Sequence, residues 1–364
     1  MAYIQRLLLA LALLCGMVPA VHAADVYTVE AVPVDVTAKS AAEARPTAMA
    51  TGQTKAFEIL MRRMLRPEDA ARASASVTPA VIASFVQGVE IANERTSSVR
   101  YLAHMTVKFS PVKIRDFLKG RAYPYSDSMA PPLLVLPVLD RDGAKLLWEP
   151  DNTWLRAWGQ ADIRNRLIHV ILPRGGAEDQ ALLSSYDATN AEAPAVKALA
   201  ARYGVTEALP VQAILRPAQG GYSVTVSAPA LASGAPAYSG TFAAATDQDL
   251  PKTFEIAAAA VVAHLDSWWK GRTLMRLDEA GDVTAMVPLR QISDWPEVMR
   301  RLDRVTLVQS YILKTLKLGE AELQLHYAGA LDQLKSVLAT NGLVLREEGG
   351  KSLLMLQEMA TGTP

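Results

Sequence analysis

The sequence predicts an α/β (α+β) fold of three small two-layer sandwich units, the last with the ferredoxin-like order βαββαβ. Two observations predict this class. Apolar residues with helical spacing alternate along the chain with Val- and Thr-rich segments typical of strands. The length of 364 residues exceeds what a single core usually covers, and a Pro-, Ser- and Tyr-rich stretch over residues 123–132 indicates a linker. The predicted units span residues 24–130, 131–278 and 279–358.

The first predicted element is a secretory signal peptide over residues 1–23. Arg6 precedes an apolar run, and the small residue Ala23 ends the segment, so we expect cleavage after Ala23 and a mature chain in a bacterial periplasm. Leu14, rather than a small residue, precedes Cys15, which argues against a lipoprotein. No later segment reaches the roughly 20 apolar residues of a membrane-spanning helix, so the mature chain is predicted to be soluble or peripheral to the outer membrane.

Composition excludes several classes of function. Cys15 is the only cysteine and leaves with the signal peptide, which excludes disulfides, a cysteine nucleophile and Cys-based zinc sites. The sequence has 37 basic and 37 acidic residues, so it lacks the excess positive charge typical of proteins that bind nucleic acid.

In the first unit, residues 26–37 predict a strand, and Ser40 to Glu43 has the form of a capping box that begins a helix. The apolar stripe of this helix consists of Phe57, Leu60, Met61, Met64 and Leu65. Pro46 and Gly52 predict a kink or a break between them. A polar connection then leads to a short helix, two strands and a last helix, over residues 79–85, 87–95, 99–109 and 111–119.

In the second unit, an apolar run over residues 133–139 and a turn over residues 140–143 predict a hairpin. A helix that ends at Gly204 is followed by three strands and a closing helix, over residues 207–215, 221–228, 238–244 and 254–268. The third unit is predicted as a strand, a helix, two strands, a helix and two edge strands. These begin at residues 283, 293, 305, 321, 331, 343 and 352. Residues 359–364 are expected to form a disordered tail.

Segments that resemble catalytic or ligand-binding motifs are incomplete. Ser110 and Lys113 match Ser-x-x-Lys, but the partner motifs of penicillin-interacting enzymes are absent, which favours a helix cap. Residues 349–352 lack the first glycine of a phosphate loop and residues 140–143 lack the later ligands of a calcium loop, so both are interpreted as turns. The histidines of the mature chain, which lack metal-ligand spacing, are His104, His169, His264 and His326. No catalytic residue, cofactor site or metal site is predicted.

The tryptophans are concentrated in the second unit and its exit: Trp148, Trp154, Trp158, Trp268, Trp269 and Trp295. Trp154 and Trp158 share a face if residues 153–160 are helical. The adjacent Trp268 and Trp269 cannot both point inward from one helix, so at least one indole is expected to be exposed or at a domain junction. Three interpretations stay open: core and inter-domain packing, a carbohydrate platform, or a partner-binding patch. That patch would consist of Trp154, Trp158, Trp268, Trp269 and Trp295.

Residues 26–29 (VYTV), 41–65, 132–139 and 154–158 resemble the uncharacterised proteobacterial family named domain of unknown function 2066. The resemblance covers most of the mature chain and implies an envelope protein without an assigned activity. A weaker, architectural likeness is carried mainly by residues 199–205 (LAARYGV). It is to flagellar assembly protein T and to the N-terminal domains of TolB and CsgG, and it implies docking and assembly rather than catalysis.

The sequence favours a non-enzymatic periplasmic protein that acts as an envelope assembly or protein-interaction module. Its expected partner is another envelope protein, and no nucleic acid is expected. Binding would use a sheet edge or the tryptophan-bearing junction between the second and third units. Two alternatives stay open: a periplasmic hydrolase whose paired carboxylates meet only in the fold, and a protein that binds a small ligand between the first two units.

Overall fold

The computed structural model describes residues 25–161, 163–275 and 280–360. These residues contain three β-sheets with helices packed on them, so the predicted α/β sandwich class is confirmed. The predicted signal peptide lies outside the described residues, as do residues 361–364 of the predicted tail. Within the described parts of the chain, no helix is both long and apolar enough to cross a membrane.

The N-terminal unit is a three-stranded antiparallel sheet in the order β1-β3-β2, covered on one face by helices. Its elements are β1 (Thr28–Thr37), α1 (Ala41–Met64), α2 (Pro67–Ala75), α3 (Pro79–Phe85), β2 (Val86–Thr96), β3 (Arg100–Phe109) and α4 (Pro111–Gly120). The connection before α3 was expected to be polar and irregular, but it contains α2. Pro67 begins this helix and Glu68 and Asp69 occupy its first turn, where the helix dipole favours acidic side chains.

Helix α1 is continuous from Ala41 to Met64, so of the predicted kink or break between Pro46 and Gly52 the break is wrong. Ser40 caps the first turn by accepting a hydrogen bond from the Glu43 amide at 3.3 Å. Pro46 lies close to the N-terminus of the helix, where its missing N–H removes a single backbone hydrogen bond. Gly52 faces the sheet, and a Cβ atom there would collide with the side chain of Met105. The glycine therefore allows close packing of α1 on the sheet rather than a bend.

The middle unit is a six-stranded mixed sheet in the order β5-β4-β7-β8-β9, with β6 paired to β4. Its elements are β4 (Leu133–Arg141), β5 (Ala144–Leu146), α5 (Thr153–Gln160), β6 (Val170–Ile171), α6 (Ala177–Leu182), α7 (Pro194–Arg202), β7 (Ala208–Ala218), β8 (Gly221–Ala228), β9 (Tyr238–Ala244) and α8 (Leu250–Thr273). Strand β4 is buried on both faces. Val135 belongs to the core that includes α5 and α8, whereas Leu134 and Leu136 belong to a second core that includes α7.

The C-terminal unit is a five-stranded sheet in the order β11-β12-β10-β14-β13. Its elements are β10 (Ala280–Pro288), α9 (Asp294–Leu302), β11 (Val308–Lys317), β12 (Glu320–Ala328), α10 (Leu331–Thr340), β13 (Leu343–Glu348), β14 (Lys351–Leu356) and α11 (Gln357–Ala360). Strand β12 lies between β10 and β11, which is the split arrangement of the predicted ferredoxin-like order.

Two details of the C-terminal unit differ from the prediction. Strand β14, expected at an edge, pairs in parallel with β10 and leaves β13 at the edge. The reason is burial, because Leu354 of β14 is fully buried and an edge position would expose it. Met359 and Ala360, assigned to the disordered tail, belong to α11.

Candidate functional site

The segments that resemble catalytic motifs have structural roles. Ser110 caps α4 by accepting a hydrogen bond from the Lys113 amide, and the Lys113 ammonium donates a hydrogen bond to the carbonyl of Ser84 at 2.6 Å. Residues 349–350 form the turn between β13 and β14. Among the described residues, no cluster of three or more His, Cys, Asp or Glu side chains could hold a metal ion.

The turn that resembles a calcium loop is held by Asp140. This carboxylate accepts hydrogen bonds from the Gly143 amide at 3.1 Å, from Arg216 at 3.2 Å and from Lys145. Burial opposes its ionisation, but the hydrogen bonds from Lys145, Gly143 and Arg216 outweigh that effect and hold the pKa of Asp140 below its usual value. The carboxylate is therefore already occupied by protein donors.

Trp154 and Trp158 are buried, so the prediction that they belong to an exposed partner-binding patch is wrong. Both lie on the face of α5 that packs on the core, where their rings meet edge to face at 5.5 Å. Trp154 Nε1 donates a hydrogen bond to the carbonyl of Val211 at 2.9 Å. Trp158 Nε1 is buried and has no acceptor among the described residues.

The remaining tryptophans of the predicted patch lie apart from Trp154 and Trp158. Trp269 is buried, while Trp268 and Trp295 are partly exposed. Trp268 lies 5.8 Å from the ring of Trp269, and the guanidinium of Arg272 lies over it. Trp295 lies on α9 and packs against the C-terminal core. No aromatic ring contact among the described residues joins these side chains to Trp154 and Trp158.

The last turns of α8 contact both neighbouring units. Side chains of α8 donate three hydrogen bonds across these boundaries: Trp269 Nε1 to the Ser128 carbonyl at 2.7 Å, Lys270 Nζ to the Arg62 carbonyl at 2.6 Å, and Arg272 Nη2 to Ser336 Oγ at 3.1 Å. Two of the three acceptors are backbone carbonyls. Every residue type has a carbonyl, so the sequence alone does not predict these two contacts. The tryptophan-bearing end of α8 is thus a junction between units.

A buried carboxylate organises the same helix end. Asp266 accepts a hydrogen bond from the Leu167 amide at 2.9 Å and pairs with Lys270 at 2.9 Å, and Arg166 lies 3.9 Å away. Burial lowers the pKa of Lys270 below its usual value, and the Asp266 carboxylate acts in the opposite direction. The hydrogen bond from the Leu167 amide to Asp266 joins α8 to the segment before β6, whereas the Asp266–Lys270 pair lies within α8.

A cleft of about 1010 Å³ lies between the N-terminal sheet and residues 163–172. On its floor Arg63 donates hydrogen bonds to the carbonyls of Val26 and Thr28 and to Asn165 Oδ1. Burial lowers the pKa of Arg63 to about 10. The acidic lining residue Asp25 accepts hydrogen bonds from the first residues of the β1 segment, so its carboxylate stabilises that turn.

A second pocket, of about 680 Å³, lies between α1, α2 and α8, and we call it the junction pocket. Four cationic side chains and two carboxylates line it: Arg62, Arg66, Arg166, Lys270, Glu58 and Asp266. Its floor is formed by small residues of α2 and α8, such as Ala70 and Ala263. No motif in the sequence indicates these residues, but they lie between the first two units, where a small-ligand site was one of the open alternatives.

Strand β11 carries an unusual exposed surface. It pairs only with β12 among the described strands, and Tyr311, Leu313 and Leu316 lie opposite buried residues of β12. Paired residues of antiparallel strands share a face, so these three side chains extend the buried layer to the open edge. They are 38%, 44% and 46% exposed. We call β11 and these side chains the edge surface. Its sequence signal is the segment 311–318 (YILKTLKL), whose five apolar residues do not follow the strict alternation of a half-buried strand.

Comparison with known proteins identifies no family for this chain. No protein-family model and no curated protein matches it. Among solved structures, the chain is similar to a formyltetrahydrofolate deformylase from Pseudomonas putida, with a TM-score of 0.22 and 11% sequence identity, over 69% of this chain and 98% of that chain. A TM-score this low carries no argument about fold or function.

Proposed function

We propose that this chain is a non-enzymatic periplasmic interaction module that binds an extended segment of another envelope protein along the edge surface of β11. The segment would add a strand to the C-terminal sheet, with apolar residues at alternate positions and acidic residues near Lys314 and Lys317. The proposal agrees with both resemblances of the sequence: the family resemblance implies an envelope protein, and the architectural likeness implies docking and assembly.

The observation that carries the proposal is the apolar row at an unpaired strand edge. Natural proteins usually protect such edges with charges, bulges or short strands, because free backbone N–H and C=O groups recruit other strands. Strand β2 follows this rule, with a register shift between Ala92 and Arg95. Strand β13 follows it too, because it ends in Arg346, Glu347 and Glu348. Strand β11 also has register shifts, between Val308 and Ser310 and between Leu313 and Thr315, and it carries two lysines. It differs from β2 and β13 in that a row of apolar side chains of the core layer stays about two-fifths exposed at its edge.

Charge favours an acidic partner over a second copy of the chain. Lys314 and Lys317 are the charged residues of β11, and Lys314 forms no ion pair among the described residues. Two copies that paired through β11 would bring four ammonium groups to one ladder, where like charges are destabilising. An acidic segment would neutralise the same lysines. A partner strand is thus favoured by both the apolar and the charged side chains.

The expected affinity is moderate. Covering Tyr311, Leu313 and Leu316, which are about two-fifths exposed, would contribute roughly 2–4 kcal/mol. Each backbone hydrogen bond of an added strand would contribute about 1 kcal/mol, and ordering the partner segment would offset part of the total. We therefore expect binding near the micromolar range, about −8 kcal/mol.

The test begins with a photoreactive amino acid in place of Ile312, whose side chain is exposed on the open face of β11. The control carries the same amino acid in place of Val99, an exposed residue between β2 and β3. Cross-linking in intact cells is followed by mass spectrometry that identifies the cross-linked segment. That segment is then synthesised, and its binding to the purified chain is measured by fluorescence anisotropy.

We expect the peptide to bind the wild-type chain and to lose roughly tenfold or more in affinity for the double variant Leu313→Asp, Leu316→Asp. The matched control is Val112→Asp with Ile256→Asp, because these residues are similarly exposed but lie on α4 and α8. Three results would contradict the proposal: equal capture from the Val99 position, cross-links to a second copy alone, or unchanged peptide binding by the β11 variant.

A further inference from the structure

We infer that the junction pocket between α1, α2 and α8 binds an anionic amphiphile, a molecule with a phosphate or carboxylate head and an apolar body. This inference concerns a different unit and a different ligand class from the edge surface.

The first observation is the size and position of the pocket. Its volume of about 680 Å³ lies in the range of pockets that hold small organic ligands, and its walls come from two units of the chain. The hydrogen bond from Lys270 Nζ to the Arg62 carbonyl joins the α8 wall to the α1 wall, and Asp266, on the same helix as Lys270, pairs with that ammonium. The pocket is therefore formed by the folded junction itself and needs no rearrangement to exist.

The second observation is the charge of its lining. Four cations face two carboxylates, which leaves a net formal charge of +2. Asp266 is committed to Lys270 and to the Leu167 amide. Arg62 and Arg66 form no ion pair among the described residues, although both line the opening. Guanidinium groups bind phosphate and carboxylate with two parallel hydrogen bonds, so an anionic head group is the complementary ligand.

The third observation is the apolar floor. Pro67, Ala70 and Ala71 of α2 and Ala263 of α8 line the pocket below the arginines. The side chains of these four residues leave room for a chain or ring of carbon atoms and carry no hydrogen-bond donor, whereas Ser74 and Ser267 line other parts of the same pocket. An inorganic anion would leave this part of the pocket unused, whereas an amphiphile would fill it.

The probe is dodecyl phosphate below its critical micelle concentration, and its binding to the full mature chain is measured by isothermal titration calorimetry. Inorganic phosphate and dodecanol serve as separate probes of the head group and the apolar body. We expect dodecyl phosphate to bind at least about tenfold more tightly than either, because it uses both parts of the pocket.

Two variants separate the contributions. Arg62→Glu with Arg66→Glu reverses the charge at the opening, and it leaves the Lys270 hydrogen bond intact because that bond uses the backbone carbonyl of residue 62. Ala71→Phe places a large side chain in the apolar part of the pocket lining. Each is expected to weaken binding of dodecyl phosphate roughly tenfold or more.

The control variant Arg95→Glu with Arg290→Glu removes the same charge from exposed positions outside the pocket, and binding should not change. Circular dichroism checks that every variant is folded. Binding to vesicles of phosphatidylglycerol is measured separately, to distinguish a single amphiphile bound in the pocket from attachment of the protein to a membrane surface.

The inference is overturned if monomeric dodecyl phosphate does not bind, or if it binds the two pocket variants as tightly as the wild type. It is also overturned if only vesicles bind. Cross-linking from Ile312 uses none of the pocket residues, so failure of the inference and failure of the proposed function are distinguishable.

Discussion

Replacing each buried tryptophan of α5 by phenylalanine should have clearly different effects on stability. Trp154→Phe removes an indole N–H that donates to the Val211 carbonyl at 2.9 Å. The loss of that bond in the core costs about 1–3 kcal/mol, and the smaller ring costs about 1–2 kcal/mol more. We expect the free energy of unfolding of the middle unit to fall by about 3 kcal/mol.

Trp158→Phe removes a buried N–H that has no acceptor among the described residues. Relief of that unpaired donor, about 1–3 kcal/mol, offsets the loss of ring volume, so the net change should stay within about 1 kcal/mol of zero. The two substitutions are chemically identical, four residues apart on one helix, and both side chains are buried. Each is therefore the control for the other.

The assay is equilibrium unfolding in urea followed by tryptophan fluorescence. All six tryptophans lie between residues 148 and 295, so the signal reports mainly on the middle unit. With a denaturant slope of about 1–3 kcal/mol per molar, Trp154→Phe should lower the midpoint by roughly 1–3 M and Trp158→Phe by little. Equal losses, or a larger loss for Trp158→Phe, would refute the assignment of these hydrogen bonds.

Three further results are expected. The lowered pKa of Asp140 contributes stability that is present at neutral pH and lost as the pH falls below about 4. Asp140→Asn should therefore flatten the acid limb of a circular dichroism titration, and an acid limb equal to that of the wild type would contradict this role of Asp140. Asp266→Asn should lower the free energy of unfolding in urea by about 3 kcal/mol, because it leaves the buried Lys270 without its counter-ion; a loss below 1 kcal/mol would count against that role. N-terminal sequencing of the protein from periplasmic extracts should begin at Ala24, and retention of residues 1–23 would contradict the signal peptide.

The sequence predicted the elements whose signals are local. The stripe that includes Phe57 and Leu60 predicted the core face of α1, and the run over residues 133–139 predicted a buried strand. The predicted break in α1 was wrong because a glycine in a helical segment can either interrupt the helix or allow it to pack closely on a neighbouring element. Gly52 looks like a helix breaker in the sequence, but in the fold it lets α1 approach β1 and β3. The two roles can be told apart only in the fold, where a Cβ atom at position 52 would collide with Met105 of β3 and Val34 of β1.

The candidate sites were harder to predict because they depend on contacts between distant segments. The clustering of tryptophans was visible, but burial of Trp154 and Trp158 follows from which face of α5 meets the sheet. The contacts of Trp269 and Lys270 end on backbone carbonyls, which any residue type can supply. The junction pocket likewise joins arginines of α1 and α2 to residues of α8 that lie about two hundred positions later in the chain.

The edge surface and the junction pocket depend on different parts of the fold, so each can be tested without altering the other. The edge surface needs an unpaired strand in the C-terminal sheet, whereas the pocket needs the packing of α8 against α1 and α2. No described residue belongs to both. Effects of substitutions without shared partners usually add, so a chain that combines Leu316→Asp with Ala71→Phe should lose peptide binding and amphiphile binding as the single variants do. A departure from additivity would mean that α8, which contacts the C-terminal unit through Arg272, transmits occupancy of one site to the other.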